Sequence, residues 1–307
     1  MKIPKQLQKK GEQLASLKVL EDGFTGSELN SYLLHLFQQR TAKVSPAHLL
    51  RQFKKNRFVK ISDVNPLAYK KLEIEWLSNA EQQGFVLQTL SPLAPLGTCS
   101  VIGEVNQNNV VSASRGTEAV SDATNVLALQ VAKEQKSTSD KRDVLKYAVT
   151  HRQVRGQSFN NPAFSAHFGV FCMVSGGYDT GSFSFELKQL TDHLKFHYTK
   201  LAEKFGQESL LVKFFLKNQQ HPFHDFLNDQ LHSLPFTPQL IYEKGGGDYY
   251  QLIQFKIYLK QQKMEIDLAD GGLVDWTQKL LSNKKHRLFI SGCGLELVHK
   301  FLNHEIY

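Results

Sequence analysis

Arg152 and Arg155 stand three residues apart at the end of a stretch, residues 144–154, that reads as a β-strand. A guanidinium on a strand offers a permanently charged fork that matches a phosphate or carboxylate. The same residues could equally form ion pairs at a sheet edge. Phe168 follows a connection at 156–166 rich in Asn, Ser and Gly, and begins a second strand at 167–174. An aromatic there could stack on a purine, and the bare glycines of Ser291-Gly292-Cys293-Gly294 would let backbone approach the other side of such a base. Gly245-Gly246-Gly247, just before Asp248-Tyr249-Tyr250, could cradle an anion through its N–H groups or serve only as a flexible turn. Arg115, Glu118 and Asp122 read either as pocket residues or as a buried network that fixes a loop.

Other polar groups point less clearly to chemistry. His193 and His197 lie one helical turn apart, a metal-ligand spacing, but no Glu follows His193 in the manner of a zinc protease and no third ligand is evident, so no metal is assigned. His221-Pro222-Phe223-His224 reads as a loop with surface histidines. Cys99, Cys172 and Cys293 are far apart and odd in number, which fits neither a disulfide framework nor a zinc site; three reduced thiols are expected.

The elements that must position these groups follow from hydrophobic periodicity. Helices are expected at 27–39, from Ser45-Pro46, at 67–83, 122–133, 185–201, 273–281 and 295–302. Thr25 and Glu28 make a capping-box pattern for the first. Strands are expected at 85–87, 100–105, 110–113, 144–154, 167–174 and 288–290, with 253–259 and 264–268 forming a hairpin around 260–263. Residues 133–142 read as a charged loop. Hairpins and helices mixed on one sheet give an α+β fold rather than a doubly wound parallel one.

The chain has 307 residues, 41% hydrophobic and 21% charged, enough to bury a core. Its net charge of +8 is uneven. Residues 1–71 carry 14 Lys and Arg against 5 Asp and Glu, a net +9, and the remainder is −1. Residues 50–58 interleave cations with Leu50, Phe53 and Phe58, which suits RNA or another polyanion, or an amphipathic helix with aromatics turned inward. RNA or a partner protein is therefore a candidate partner for residues 1–66. No apolar run approaches a membrane span and the N-terminus shows no hydrophobic signal region, so a cytoplasmic protein is expected.

The order of these pieces resembles the catalytic core of class II aminoacyl-tRNA synthetases of the histidyl type, over roughly residues 70–305. Residues 72–93, ending near Pro92, resemble motif 1; Thr150-His151-Arg152 through His167-Phe168 resemble motif 2; Ser291-Gly292-Cys293-Gly294-Leu295 resembles motif 3. Asp248-Tyr249-Tyr250, the strand after it and Ala269-Asp270-Gly271-Gly272 are similar to two histidyl-type signatures, and Arg115-Gly116-Thr117-Glu118 stands in the place of a substrate loop. The resemblance implies a class II synthetase-like antiparallel sheet at 67–307 behind a basic helical region at 1–66, and a homodimer built on motif 1. It implies ATP with Mg2+, with Arg152 on the α-phosphate as the catalytic cation, and Arg155, Phe168, Gly292, Gly294 and His299 as further nucleotide contacts. Arg115, Glu118, His167, Tyr249, Tyr250, Gly271 and Gly272 would line the amino-acid pocket, with Glu118 meeting an ammonium group.

The pattern also departs from that family. His299, beside Lys300, stands where motif 3 has an arginine, Glu296 where it has a glycine, and His167 where motif 2 has an acid. The family's catalytic arginine ahead of Asp-Tyr-Tyr is replaced by glycines, with Lys244 the nearest cation. Each lost charged clamp removes a few kcal/mol of transition-state stabilisation, on the order of a hundredfold in rate. The expectation is a regulatory or accessory paralogue that binds an amino acid or nucleotide, with an adenylate-forming ligase of altered substrate and an RNA-binding protein as the alternatives.

Overall fold

A computed structural model describes residues 18–137, 143–157, 165–217, 220–232, 234–243, 249–261 and 264–303. Lys244, Gly245, Gly246, Gly247 and Asp248 lie outside the described residues, as do parts of the expected loops at 133–142 and 156–166 and of the hairpin turn at 260–263. Helices α1 (Gly26–Thr41), α2 (Pro46–Lys55) and α3 (Pro66–Gln82) come first. Strands β1 (Val86–Leu87), β2 (Leu93–Pro95), β3 (Ser112–Ala113) and β4 (Thr117–Ala119) follow, then helix α4 (Ala123–Ser137). Next come the long strands β5 (Leu145–Val154) and β6 (His167–Tyr178), helix α5 (Ser184–Phe205), strand β7 (Leu210–Lys217), helix α6 (Phe223–Leu231) and strand β8 (Gln239–Glu243). The chain closes with β9 (Ile253–Gln261), β10 (Met264–Val274), α7 (Trp276–Leu281), β11 (His286–Cys293) and α8 (Leu295–Leu302).

Eight strands form one sheet in the order β1-β5-β6-β11-β10-β9-β7-β8. Only the outer pairs β1–β5 and β7–β8 are parallel. The expected α+β class and antiparallel sheet are therefore observed. The expected strand at 100–105 is instead a helical turn over Thr98–Ile102, and the expected helix at 273–281 begins only at Trp276 because Leu273 and Val274 complete β10. Elements β7, α6 and β8 were not anticipated; Phe223 and His224, expected in an exposed loop, are buried at the start of α6.

Side-chain alternation gives the sheet two different faces. Phe171 and Met173 of β6 and Phe289 of β11 pack with Trp76 of α3 and Phe196 of α5. Val170, Cys172 and Val174 point the other way, into a smaller core with Leu127 and Val131 of α4 and Trp276 of α7. Helices cover the first face, and α4 and α7 cover only part of the second. His193 and His197, the pair with metal-ligand spacing, are buried in the first core. His193 bonds Ser175 Oγ and Ser291 Oγ at 2.8 Å each, and His197 bonds Ser291 Oγ at 2.9 Å. Burial pushes both imidazoles below their ordinary pKa, so they are neutral hydrogen-bonding groups.

The basic N-terminal helices begin as expected: Thr25 caps α1 with Glu28 completing the box, and Ser45 caps α2. Neither helix buries a side chain. The region is held by point contacts. Arg57 donates to the carbonyls of Gly156 and Gln157, and Arg115 N–H donates to Asn30 Oδ1 at 2.7 Å. Ser62 Oγ donates to Glu296 Oε1 at 2.9 Å.

Glu296 is the hub of that last contact. Its carboxylate, 4% exposed, also receives Arg152 Nη2 at 2.6 Å and Gly169 N–H at 3.0 Å, with Lys300 Nζ at 3.9 Å. Substituting Glu296→Ala strands three donors at once and should cost about 2–4 kcal/mol of stability. Urea denaturation checks this; a loss under about 0.5 kcal/mol would show that the carboxylate contributes no more than an exposed surface pair.

Candidate ligand-binding site

The register of β5 against β6 decides which residues at the end of one strand and the start of the other share a face. Arg152 pairs with Gly169, and Gln153 with Phe168. Gly169 belongs with Phe171 on the helix-covered face, where a Cβ on it would meet Tyr69 Oη at 1.8 Å. Arg152 therefore projects onto that face, where Glu296 and His167 Nδ1 (2.9 Å) hold it. Gln153, Arg155 and Phe168 project onto the other.

On that second face lies a cavity of about 660 Å3. Its floor comes from Phe168 and Cys172 on β6, Gly292 on β11, Asp270 on β10 and Gln254 on β9. Asp122, ahead of α4, and Tyr249 and Tyr250, ahead of β9, add polar groups to the lining, Arg155 and Gly294 stand beside them, and Asp267 and Lys217 also border the cavity. The volume suits a small metabolite.

Each polar group is fixed by a partner. Asp122 Oδ1 accepts from Thr124 N (2.9 Å) and Oγ1 (2.7 Å), and its Oδ2 accepts from Tyr249 Oη at 3.3 Å. Asp270 Oδ2 accepts from Tyr250 Oη and Gln254 Nε2, each at 3.2 Å. Tyr250 fits because Gly272 is bare: a Cβ there would sit 2.6 Å from its ring. The Gln153 amide accepts from Ala123 N at 2.9 Å and donates to Ser121 O at 3.1 Å, so it pins the segment that carries Asp122. Arg155 lies over the Phe168 ring at 5.2 Å and its Nε donates to Ser121 O at 3.3 Å.

Electrostatics favour a cation in this cavity. Burial pushes Asp270 up to about 6, and the charge of Asp267 adds to the shift. Burial and then the nearby carboxylates push both tyrosine hydroxyls well above their ordinary range, so they stay protonated and donate. Cys99, Cys172 and Cys293 all line the cavity as free, buried thiols. Burial raises Cys99 to about 11 and pushes Cys172 and Cys293 well above the ordinary thiol range, so they present neutral apolar surface rather than nucleophiles. Two carboxylates, two hydroxyl donors and an amide in a partly desolvated pocket form a receptor for an ammonium group, with Arg155 and Phe168 available to an anionic or planar part of the same ligand.

The structure thus gathers Arg155, Phe168, Tyr249, Tyr250, Gly292 and Gly294, and leaves seven expected residues elsewhere. Arg152 and His167 are on the opposite face. His299 is buried there too, edge-on to Tyr69 at 5.8 Å between ring centres. Glu118, 1% exposed and away from the cavity lining, accepts from the N–H groups of Gly97 (2.8 Å) and Cys99 (2.9 Å) and from Gln107 Nε2 (3.0 Å), so it fixes a loop. Arg115 is exposed in the turn between β3 and β4. Gly271 and Gly272 do not border the cavity; each clears space for a neighbour, Gly271 for Phe255 and Gly272 for Tyr250. Sequence reasoning assigned no role to Asp270 or Gln254. The polar residues between Ile253, Phe255 and Ile257 were the available signal for Gln254, whereas a bulge between Asp267 and Ala269 shifts the alternation that would have marked Asp270.

The antiparallel sheet, the glycine-marked β11–α8 junction and a cleft on one sheet face define the class II aminoacyl-tRNA synthetase catalytic-core fold. The chain superimposes on histidyl-tRNA synthetase from S. aureus with a TM-score of 0.60 at 12% identity, covering 80% of this chain and 70% of that one. A Bacillus halodurans protein described as an ATP phosphoribosyltransferase regulatory subunit/histidyl-tRNA synthetase gives 0.56 at 13% identity, covering 79% and 82%. Pyrrolysyl-tRNA synthetase from Desulfitobacterium hafniense gives 0.51 at 12%, covering 84% and 75%. No protein-family model matches the sequence, and no curated protein is significantly similar to it. Among the described residues no helix is long and apolar enough to cross a membrane.

Because Asp270 has a higher pKa folded than unfolded, it favours folding below about pH 4, and that contribution is lost as pH rises through about 6. Asp270→Asn should therefore be more stable than the natural chain at pH 7.5, by about 1 kcal/mol after allowing for water in the cavity. The gap should close near pH 4. Denaturation at both pH values tests this, and an equal or inverted difference at pH 7.5 would contradict it.

Proposed function

We propose that this chain is a synthetase-like protein that binds an amino acid, or a similar small amine, in the cavity without activating it, and acts as a regulatory or accessory subunit. One observation carries the reading: Arg152 is committed to Glu296 on the opposite sheet face, while Asp122, Asp270, Tyr249, Tyr250 and Gln254 remain arrayed in the cavity. The ammonium of the ligand would rest against the two carboxylates and its carboxylate against Arg155.

ATP with Mg2+ fits these residues poorly. Gln153 takes the cavity-facing place expected of the phosphate-binding arginine and is spent on backbone groups. His299 and Lys300 lie on the other face, Lys300 pairing with Asp63 at 3.1 Å. The Bacillus halodurans protein, whose description includes a regulatory subunit, offers a precedent for this fold in a role other than aminoacylation. Exposed Leu67, Ile74 and Val86 on α3 and β1 support a homodimer across the motif 1 region.

A second reading, an adenylate-forming ligase of altered substrate, is favoured only by Arg155 stacked on Phe168 at the cavity wall. Calorimetry with each amino acid and with ATP, beside an ATP–pyrophosphate exchange assay, separates the two. The first reading predicts amino-acid binding that Asp122→Asn weakens at least tenfold, that fades below about pH 6 as Asp270 takes up a proton, and that is accompanied by no exchange. Exchange activity would establish the second. Absence of any amino-acid or amine binding would remove the first.

A further inference from the structure

The N-terminal arm presents a surface that the cavity does not explain. Residues 40–60 contain seven Lys and Arg and no Asp or Glu. They run from the end of α1 through α2 to a short helical turn over Arg57–Val59. On α2, Arg51, Lys54 and Lys55 are all exposed, on the side away from Leu49, Leu50 and Phe53. Phe53 is 47% exposed, and Tyr32 and Phe37 of α1 are 47% and 48% exposed. Arg57 lies over the Phe58 ring at 4.4 Å. Tyr32, Phe37 and Phe53 are not turned inward, as an ordinary amphipathic helix would require; they remain about half exposed to solvent, Phe53 on the flank of α2 opposite its cations.

We infer that this arm is an RNA-binding surface. Seven cations without a compensating acid repel a second copy of the same surface and attract a polyanion. Exposed Tyr32, Phe37 and Phe53 add what a phosphate-only contact lacks, flat faces for unpaired bases. The attachment of the arm points the same way. Arg57 grips the carbonyls of Gly156 and Gln157, and Gln157 lies on the rim of the cavity, so a strand bound along α2 runs toward the cavity mouth. Hydrogen bonds from Arg57 to the Gly156 and Gln157 carbonyls and from the Arg115 N–H to Asn30 tie the arm to the body while leaving the exposed cations of α2 unencumbered. The inference does not rest on the amino-acid reading: either can fail alone.

The test uses the full chain and a fluorescein-labelled mixed-sequence RNA of 20 nucleotides, read by fluorescence anisotropy across 50–200 mM KCl. The natural chain should bind with a steep salt dependence. The triple variant Arg51→Glu, Lys54→Glu, Lys55→Glu should weaken binding at least tenfold and flatten the slope of log K against log salt by about 2, since each phosphate contact on a single strand contributes about 0.7. Phe53→Ala should weaken it about fivefold or more. A control that reverses Lys133, Lys136 and Lys284, exposed cations elsewhere, should change binding less than twofold. Circular dichroism of each variant separates lost binding from lost folding. No RNA binding, equal loss in the arm and control variants, or binding only to vesicles with 30% phosphatidylserine would overturn the inference.

Discussion

The buried carboxylate of Glu296 ties the sheet to the N-terminal segment and decides which face Arg152 occupies. It draws Arg152 across to the helix-covered face, accepts the Gly169 N–H of the partner strand, and takes Ser62 from the linker that follows the basic helices. One acidic side chain therefore joins three separate parts of the chain: the end of β5, the start of β6 and the N-terminal segment. A buried carboxylate is tolerated only when paired and hydrogen-bonded, and this one is both. Its consequence is geometric: Arg152 is held on the helix-covered face, away from the cavity.

The cavity on the other face presents acids and hydroxyls. Asp122 and Asp270 each hold one tyrosine hydroxyl, and Gln153 and Gln254 use their amides to fix the surrounding backbone and Asp270. Such preorganisation favours equilibrium binding of a cation, because the carboxylates need not move to receive it. The elevated pKa of Asp270 is the stored cost of that arrangement, released when a positive group arrives. The three thiols, neutral and buried, add apolar surface to the wall.

Much of the fold was legible in the sequence, because the long helices and the β9–β10 hairpin carry clean periodicity and caps. The motif order along the chain marked the two-strand unit at β5–β6 and the glycine junction at β11–α8. The site was legible only in part. Phe168, Tyr249, Tyr250, Gly292, Gly294 and Arg155 come together, but Arg152 does not, since a strand's alternation reverses with a one-residue change of register and the acid that captures it lies 144 residues away. Glu118 looked like an ammonium ligand because its type and place suited one; its burial among loop N–H groups is a tertiary fact. Asp270 was hidden by a bulge. The exposure of the N-terminal aromatics was likewise invisible, because periodicity alone cannot say whether an apolar face has found a partner.

The most direct measurement is a crystal structure of the protein bound to an amino acid or small amine in the presence of ATP. The account predicts the ligand's amine nitrogen within hydrogen-bonding distance of Asp122 and Asp270, with Arg152 still paired to Glu296. Arg152 swung onto a phosphate in the cavity, or an amine bound with neither aspartate touching it, would contradict it.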